Sequence, residues 1–362
     1  MSGVSTKAGF LCDPVRIRNY CTAIFVAHGV PDYDAHVVAD SLVTANLRGL
    51  DSHGITRVGI YADRLKKKLV NSVAHPKVVK DKNAMLLIDG DNGMGAVVTL
   101  QALRMGISRA KEYGICSIGI THSNHYGAGA YYIKEAVKAN LACHLYGHAP
   151  PTMAPWGGIK PYLGTNPYSF GIPAGKYPPI ILDMASSVVA RGRILLAAKE
   201  NKSIPEGWAI DTEGRPTMDA QAALAGSVLP FAGPKGYGIA LMNDILAGVL
   251  TSSNFGSQIP DLYRNLVDVQ NIGAFIQLTD IESFIPVSDF NARMEKLVED
   301  LKSITPAQGV DQIYLPAEIE NNKEAVRSEN GFSIAEVEVE MLSKLGKPMG
   351  LDVEEIFLRG GK

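Results

Sequence analysis

Two hydrophobic periods alternate along this chain. Residues 15–28 and 32–47 carry apolar side chains at helical spacing and predict two helices. A turn at His28, Gly29 and Pro31 separates them; Pro31 blocks continuation of the first, and Asp32 is placed to cap the second. After a polar turn at 51–54, Arg57, Tyr61 and Arg64 fall at a spacing that puts them on one helix face. Residues 84–90 predict a strand, the following DNGMG a turn, and 96–113 a helix. Residues 115–120 (ICSIGI) are short, apolar and partly β-branched, as a buried strand requires. A polar, Gly-rich loop follows at 121–129, and 130–140 returns to helical spacing through Tyr132, Ala136 and Ala139. An apolar stretch at 141–146 precedes a proline-rich loop, and 164–173 has turn residues in front and apolar ones behind. Residues 180–184 predict a strand, and 188–200 and 237–250 predict helices. The tail from 287 is mostly helical with a loop at 305–320. Strands and helices interleave, which is the α/β class.

Composition narrows the picture. The 362 residues are 46% hydrophobic and 20% charged, with a net charge of −2, an ordinary globular balance. No basic stripe or zinc-finger spacing is present, so nucleic acid is not an expected partner. The four cysteines are scattered without a CxxC pair, which favours reduced thiols in a cytoplasmic protein. The sequence shows no apolar leader and no run of membrane-spanning length, so no membrane partner is expected.

Candidate chemistry concentrates in the loop at 121–129. A strand, a glycine-rich loop and a helix in succession is where α/β proteins place reactive groups. His122 and His125 sit in this loop, and imidazole exchanges protons near neutral pH. Asn124, Gly127 and Gly129 supply a hydrogen-bonding amide and room for a ligand. Ser52 and His53 open the segment before Arg57, where a helix N-terminus would favour an anion. The Arg57 guanidinium can grip both oxygens of a carboxylate. Arg48 and Arg191 are the alternatives for that clamp. Ser186 and Ser187, after the 180–184 strand, read either as a helix cap or as donors to phosphate or ribose oxygens. Lys235 begins a predicted helix, where a cation opposes the helix dipole unless an anion joins it. No glycine group here, including Gly90, Gly93 and Gly95 or Gly233, Gly236 and Gly238, fits G-x-G-x-x-G, so a Rossmann fingerprint is absent.

Several stretches in one order carry a resemblance: 51–57 (DSHGITR), 124–132 (NHYGAGAYY), 155–158 (PWGG), 164–167 (GTNP), 183–185 (DMA), 190–194 (ARGRI), 204–208 (IPEGW) and 233–238 (GPKGYG). Together the chain resembles the type 2, non-Rossmann malate/L-lactate dehydrogenase family. That family also includes ureidoglycolate, sulfolactate and diketogulonate oxidoreductases and a cyclic imine reductase. The resemblance implies a homodimer that interconverts a small 2-keto acid and an L-2-hydroxy acid with NAD or NADP, malate being the first candidate. It implies an unusual, non-Rossmann α/β cofactor domain at 81–286. A mainly helical domain would comprise 1–80 with contributions from about 287–362. His125 would accept the substrate proton, with His53 competing for that role. Ser52, Arg57, Tyr61 and Asn166 would contact substrate. Leu182, Asp183, Met184, Ala185, Ser186, Ser187, Val188, Pro234 and Lys235 would line the cofactor, together with Pro316, Ala317 and Glu318. Relatives often have Gly at the position of Ala317. They tend to have Ser or Thr at Ala149 and an acid at Pro150, so substrate identity is open.

Two rival classes stand beside this reading. His53, His122 and His125 could form a three-histidine metal site of a hydrolase. A non-catalytic binding protein could also keep the fold, although the retained His125, Asp183 and Lys235 argue against it. The expectation of hydride transfer with a histidine acid/base needs no metal.

Overall fold

The computed structural model describes residues 9–358; residues 1–8, on which the expectation of no apolar leader falls, and 359–362 lie outside them. The chain forms two compact units. One runs to Val73 and resumes at Glu318; the other is Ala74–Ala317.

The first unit begins with β1 (Phe10–Cys12), α1 (Pro14–Ala27), α2 (Asp32–Leu47) and α3 (Val58–Lys66). Asp13 caps α1 by accepting from Val15 N and Arg16 N, and Pro14 occupies the first helical turn, where its missing N–H costs nothing. Its apolar stripe, Ile17, Cys21, Ile24 and Phe25, is fully buried. Helix α2 differs from expectation at its start: Pro31 takes the cap position and makes no side-chain cap bond. Asp32 lies inside the first turn, where its charge suits the helix dipole. Between α2 and α3 the chain makes two short 3-10 turns, Asp51–His53 and Ile55–Arg57. Ser52 and His53 therefore precede α3 by a turn and do not sit on its N-terminus.

The second unit contains β2 (Lys77–Lys82), β3 (Met85–Asp89), α4 (Gly95–Tyr113), β4 (Ile115–Ser123), α5 (Ala130–Lys138), β5 (Leu141–Gly147), β6 (Tyr168–Ala174) and β7 (Tyr177–Met184). A small lobe follows: α6 (Arg191–Lys199), β8 (Ala209–Ile210), β9 (Pro216–Thr217), α7 (Ala220–Ala225) and β10 (Ser227–Val228). Then come α8 (Pro234–Asp244), extended by a π turn over Ile245–Val249, β11 (Ile272–Asp280) and α9 (Val287–Ser303). The first unit closes with α10 (Glu318–Asn330), β12 (Phe332–Ile334) and α11 (Glu336–Gly346), β12 pairing antiparallel with β1.

Seven strands form one sheet in the order β2-β3-β4-β11-β5-β6-β7. Only β3 and β4 in it run parallel; every other pair is antiparallel. The fold is thus mixed α/β without the parallel order of a dinucleotide-binding sheet, in line with the missing fingerprint. Ile118 and Ile120 of β4, Leu145 of β5 and Ile276 and Leu278 of β11 are fully buried. Helix α4 presses so closely on this core that a Cβ at Gly106 would lie 2.1 Å from Ile118 Cδ1. Helix α9 reaches the β6–β7 hairpin, where Lys176 pairs with Glu295 and Glu299. Residues 287–317 consequently group with the sheet, not with the helical unit where the sequence reading put them. Among the described residues no helix is long and apolar enough to cross a membrane.

Candidate active site

His125 lies just past the end of β4 in a loop that is fastened on both sides. Before it, Asn124 is 5% exposed, and its Nδ2 donates to Asn92 O at 3.1 Å, Asn92 Oδ1 at 3.0 Å and Gly93 O at 2.9 Å. The first turn of α4 packs directly beneath: a Cβ at Gly95 would lie 2.1 Å from Asn124 O and 2.5 Å from His125 O. After it, Asp183 accepts from Ala130 N at 2.8 Å and from Ser169 Oγ at 2.7 Å, tying the start of α5 to β6 and β7. Gly127 has a left-handed φ of 84° with no atom within 4 Å of where its Cβ would be, so the loop leaves open space there. The ring of Tyr126 stacks beside His125 at 6.5 Å between centroids. The imidazole itself is partly buried. Asp183, expected to line a cofactor, is thus also the cap of α5.

His122, expected in the loop with His125, lies instead near the end of β4, which runs on to Ser123, and points elsewhere. Its Nδ1 lies 3.2 Å from Asp89 Oδ2 and its side chain is 54% exposed. Burial raises the Asp89 carboxyl, but hydrogen bonds from Asp91 N and His122 outweigh this and hold it below its ordinary value. Among the described residues no group of three or more His, Cys, Asp or Glu side chains is arranged to hold a metal.

Three separated stretches meet around the end of β7. Ser186 N donates to Thr165 O at 2.8 Å, Phe231 N to Ser186 O at 3.1 Å, and Val188 N to Leu229 O at 2.9 Å. Ser186–Val188 and the start of α8 are therefore neighbours, and a Cβ at Gly236 would lie 3.0 Å from Ser186 O. Pro316 O accepts from Ile181 N at 3.3 Å, which brings 316–317 beside β7. Ala317 has φ 69°, a left-handed value that glycine adopts without strain. Glu318 opens α10, where an acid suits the helix dipole. The serines do not behave as expected. Ser186 Oγ donates to Thr165 O and Asn166 O, Ser187 Oγ donates to Val189 O, and neither caps α6, whose cap position is Ala190. Their hydroxyl protons are spent inside the chain. Asn166 is likewise fully buried, with Oδ1 accepting from Ala149 N and Nδ2 donating to Ala240 O. This carboxamide fastens the loop after β5 to α8. His148, next to Ala149, is buried too; its Nε2 accepts from Gly273 N at 2.9 Å and its Nδ1 lies 3.4 Å from Asp244.

In the helical unit, Asn46 organises the turn that carries His53. It is 1% exposed; its Oδ1 accepts from Ile55 N at 2.8 Å and its Nδ2 donates to Asp51 Oδ1 at 2.9 Å. A Cβ at Gly54 would lie 2.0 Å from Asn46 Oδ1, so only glycine fits. Ser52 Oγ is 3.1 Å from His53 Nδ1, and Arg57 Nε donates to Ser52 O at 2.9 Å. Burial, and then the Arg57 charge, push the His53 imidazole down to about 4. Of the expected helix face, Tyr61 (6% exposed) and Arg64 (1%) are buried, and only Arg57 is partly open. The alternative clamp Arg48 is buried against Asn321 and Glu324, and Arg191 donates to Leu224 O.

Residues 13–343 match the family described as malate/L-lactate dehydrogenase. The chain belongs to that family. It is 35% identical over 327 residues to L-sulfolactate dehydrogenase of Methanocaldococcus jannaschii, covering 90% of this chain and 94% of that protein. It is 33% identical over 308 residues to ureidoglycolate dehydrogenase (NAD(+)) of Escherichia coli O157:H7, covering 85% and 88%. A solved structure of the Methanocaldococcus jannaschii sulfolactate dehydrogenase superposes with a TM-score of 0.90 at 33% identity, over 96% of this chain and 99% of that one. This member of the malate/L-lactate dehydrogenase family is a dehydrogenase of the NAD(P)-dependent hydroxy-acid type.

The residues around β7 suit such a cofactor. Helix α8 has no side-chain cap, its first turn carries the exposed Lys235, and Gly233 before it takes φ 61°. A cation at a helix N-terminus is favourable when an anion such as a phosphate joins it. Sequence reasoning missed Asn46, Asn92 and Gly95. A polar residue inside an otherwise apolar helix (Asn46) and the crowding of Asn and Gly after β3 were the available signals.

Proposed function

We propose that this dehydrogenase interconverts a 2-keto acid and the L-2-hydroxy acid, with malate as the first candidate, and that His125 is its acid/base. The observation that carries the assignment is the His125 loop, fastened by Asn124 on one side and Asp183 on the other while the imidazole stays partly open. Bound NAD(P) supplies the nicotinamide that exchanges hydride with C2 of the substrate. His125 takes the hydroxyl proton in oxidation and, as imidazolium, returns it to the carbonyl oxygen in reduction. His53 is the competing histidine. Its depressed pKa keeps it neutral at pH 7, which suits a hydrogen-bonding partner better than a proton donor. Arg57 is assigned to the substrate carboxylate, with its Nε anchored on Ser52 O so that the fork is pre-oriented; Ser52 and Tyr61 belong to the same turn and helix. Leu182, Met184–Val188, Pro234, Lys235 and Pro316–Glu318 are assigned to the cofactor, Lys235 to a phosphate.

A homodimer is part of this reading. Ile239, Met242, Ile245 and Val249 form an exposed apolar stripe along α8 and its π turn. A second copy presenting the same stripe would cover it by a two-fold contact. The test of substrate and cofactor is a panel of oxaloacetate, pyruvate, oxalurate (the 2-keto acid of ureidoglycolate) and 3-sulfopyruvate with NADH and with NADPH. The highest kcat/KM is expected with oxaloacetate. A higher value with another acid reassigns the substrate, and no turnover with any 2-keto acid overturns the proposal.

A further inference from the structure

Left-handed backbone is costly for residues other than glycine, by about 1–2 kcal/mol, and least so for Asn and Asp. Four such residues gather at one place in the second unit: Asp91 (φ 51°), Asn92 (φ 53°), His122 (φ 47°) and Asn271 (φ 47°). They line a single open depression together with Asp89 and Val269. Three of them are also linked in series. His122 N donates to Asn271 Oδ1 at 3.1 Å, and Asn92 N donates to His122 O at 2.8 Å. Asn92 O and Oδ1 then both accept from Asn124 Nδ2. Unfavourable backbone angles held this way persist because their surroundings over-determine them. What they hold is the peptide before His125, on which the first turn of α4 also presses through Gly95.

We infer that Asn92 is a positioning residue for His125. It touches no reacting atom in this account; it fixes the direction in which the Asn124–His125 peptide leaves β4. Asparagine meets both demands of the position, since it tolerates the left-handed angle and its Oδ1 completes the clasp on Asn124. Loss of the clasp leaves the imidazole in place on average but lets it depart from the geometry that proton transfer needs. Displacements of about 1 Å at such groups cost large factors in rate.

The inference rests on His125 being the acid/base, and a double-mutant cycle separates the two. Oxaloacetate reduction by NADH is measured for the wild type, Asn92→Gly, His125→Asn and the double variant. Glycine keeps the left-handed turn and the Asn92 O and Gly93 O acceptors of Asn124 Nδ2, and removes the Oδ1 acceptor with the rest of the carboxamide. Asn92→Gly is expected to lower kcat by roughly 3- to 10-fold while KM and NADH affinity stay within about threefold of the wild type. In the His125→Asn background the same change is expected to alter the residual rate by less than about twofold, because its only route to the chemistry is gone. Asn124→Ala removes the whole clasp; it is expected to lower kcat by roughly 10- to 100-fold and replaces Asn92→Gly if that variant does not fold. Wild-type kcat in folded Asn92→Gly, wild-type kcat in Asn124→Ala, or a loss that multiplies with His125→Asn overturns the positioning role. Near-normal turnover by His125→Asn instead overturns the acid/base reading, and the inference falls with it.

Discussion

Around His53, the buried carboxamide of Asn46 accepts from Ile55 N and donates to Asp51, and Gly54 lies so close that no side chain fits. Around His125, the buried carboxamide of Asn124 donates to Asn92 and Gly93, and Gly95 of α4 is equally crowded. Both turns use one buried asparagine to satisfy polar groups that would otherwise be costly, and one glycine to let backbone approach. Their charges differ. Arg57 folds back on the His53 turn and, with burial, drives that imidazole down to about 4. The His125 loop is bordered by Tyr126 and open space at Gly127. On the proposed reading the same construction serves two purposes: one histidine kept neutral beside a cation, the other left to exchange a proton.

The largest effect expected from breaking this comparison is at His125. His125→Asn should lower kcat by roughly 10²–10⁴-fold, the usual contribution of a positioned acid or base. Steady-state turnover with near-saturating NADH measures it, and a near-normal kcat would place the reaction's proton elsewhere. Next is the cation of the His53 turn. Arg57→Lys replaces a fork by a point charge and should lower kcat/KM by roughly 10- to 100-fold, through both KM and kcat. If Arg57 were only a surface ion pair, worth about 0–1 kcal/mol, the lysine variant would match the wild type. Lys235→Ala should weaken NADH or NADPH binding by roughly 5- to 30-fold with a smaller change in KM for the keto acid. Fluorescence titration reads this, and an unchanged cofactor affinity removes Lys235 from the phosphate site.

The smallest effect sharpens the contrast through stability. His53 titrates near 4 in the native chain, below its ordinary 6.5. Between those values the unfolded chain binds a proton that the native one refuses. Stability is therefore full above about pH 6.5 and falls as the pH drops towards 4, by on the order of 1–3 kcal/mol. Urea unfolding at a series of pH values should show this slope, and His53→Asn should flatten it. An equal slope in the variant would assign it to other groups.

Much of this architecture was legible because it rests on local pattern. The two N-terminal helices, the first part of β4, α5 and the absence of a Rossmann fingerprint follow from periodicity and glycine spacing; the loop expected from 121 begins only after Ser123. The central strand β11 was missed although Ala274, Ile276 and Leu278 alternate with partly open residues. Its partners β4 and β5 lie more than a hundred residues earlier in the chain, and nothing near it in sequence announces the pairing. Strand β2, with every residue exposed, gave no hydrophobic signal at all. At the site, residue types were readable but hydrogen-bond partners were not. Asn166, Ser186 and Ser187 have the chemistry of ligand contacts, and only the fold shows the internal bonds that Asn166 makes to α8 and the two hydroxyls make to backbone carbonyls. Asn92 carried no signal of its own, because its importance lies in which residue it grips.

The central claim is that His125 exchanges the proton while His53 stays neutral. The most direct measurement is the pH dependence of kcat/KM for the wild type, His53→Asn and His125→Asn. The account predicts that the ionisation governing the wild-type profile survives in His53→Asn at a lower rate and disappears from His125→Asn. An ionisation that disappears with His53 and survives without His125 would contradict it.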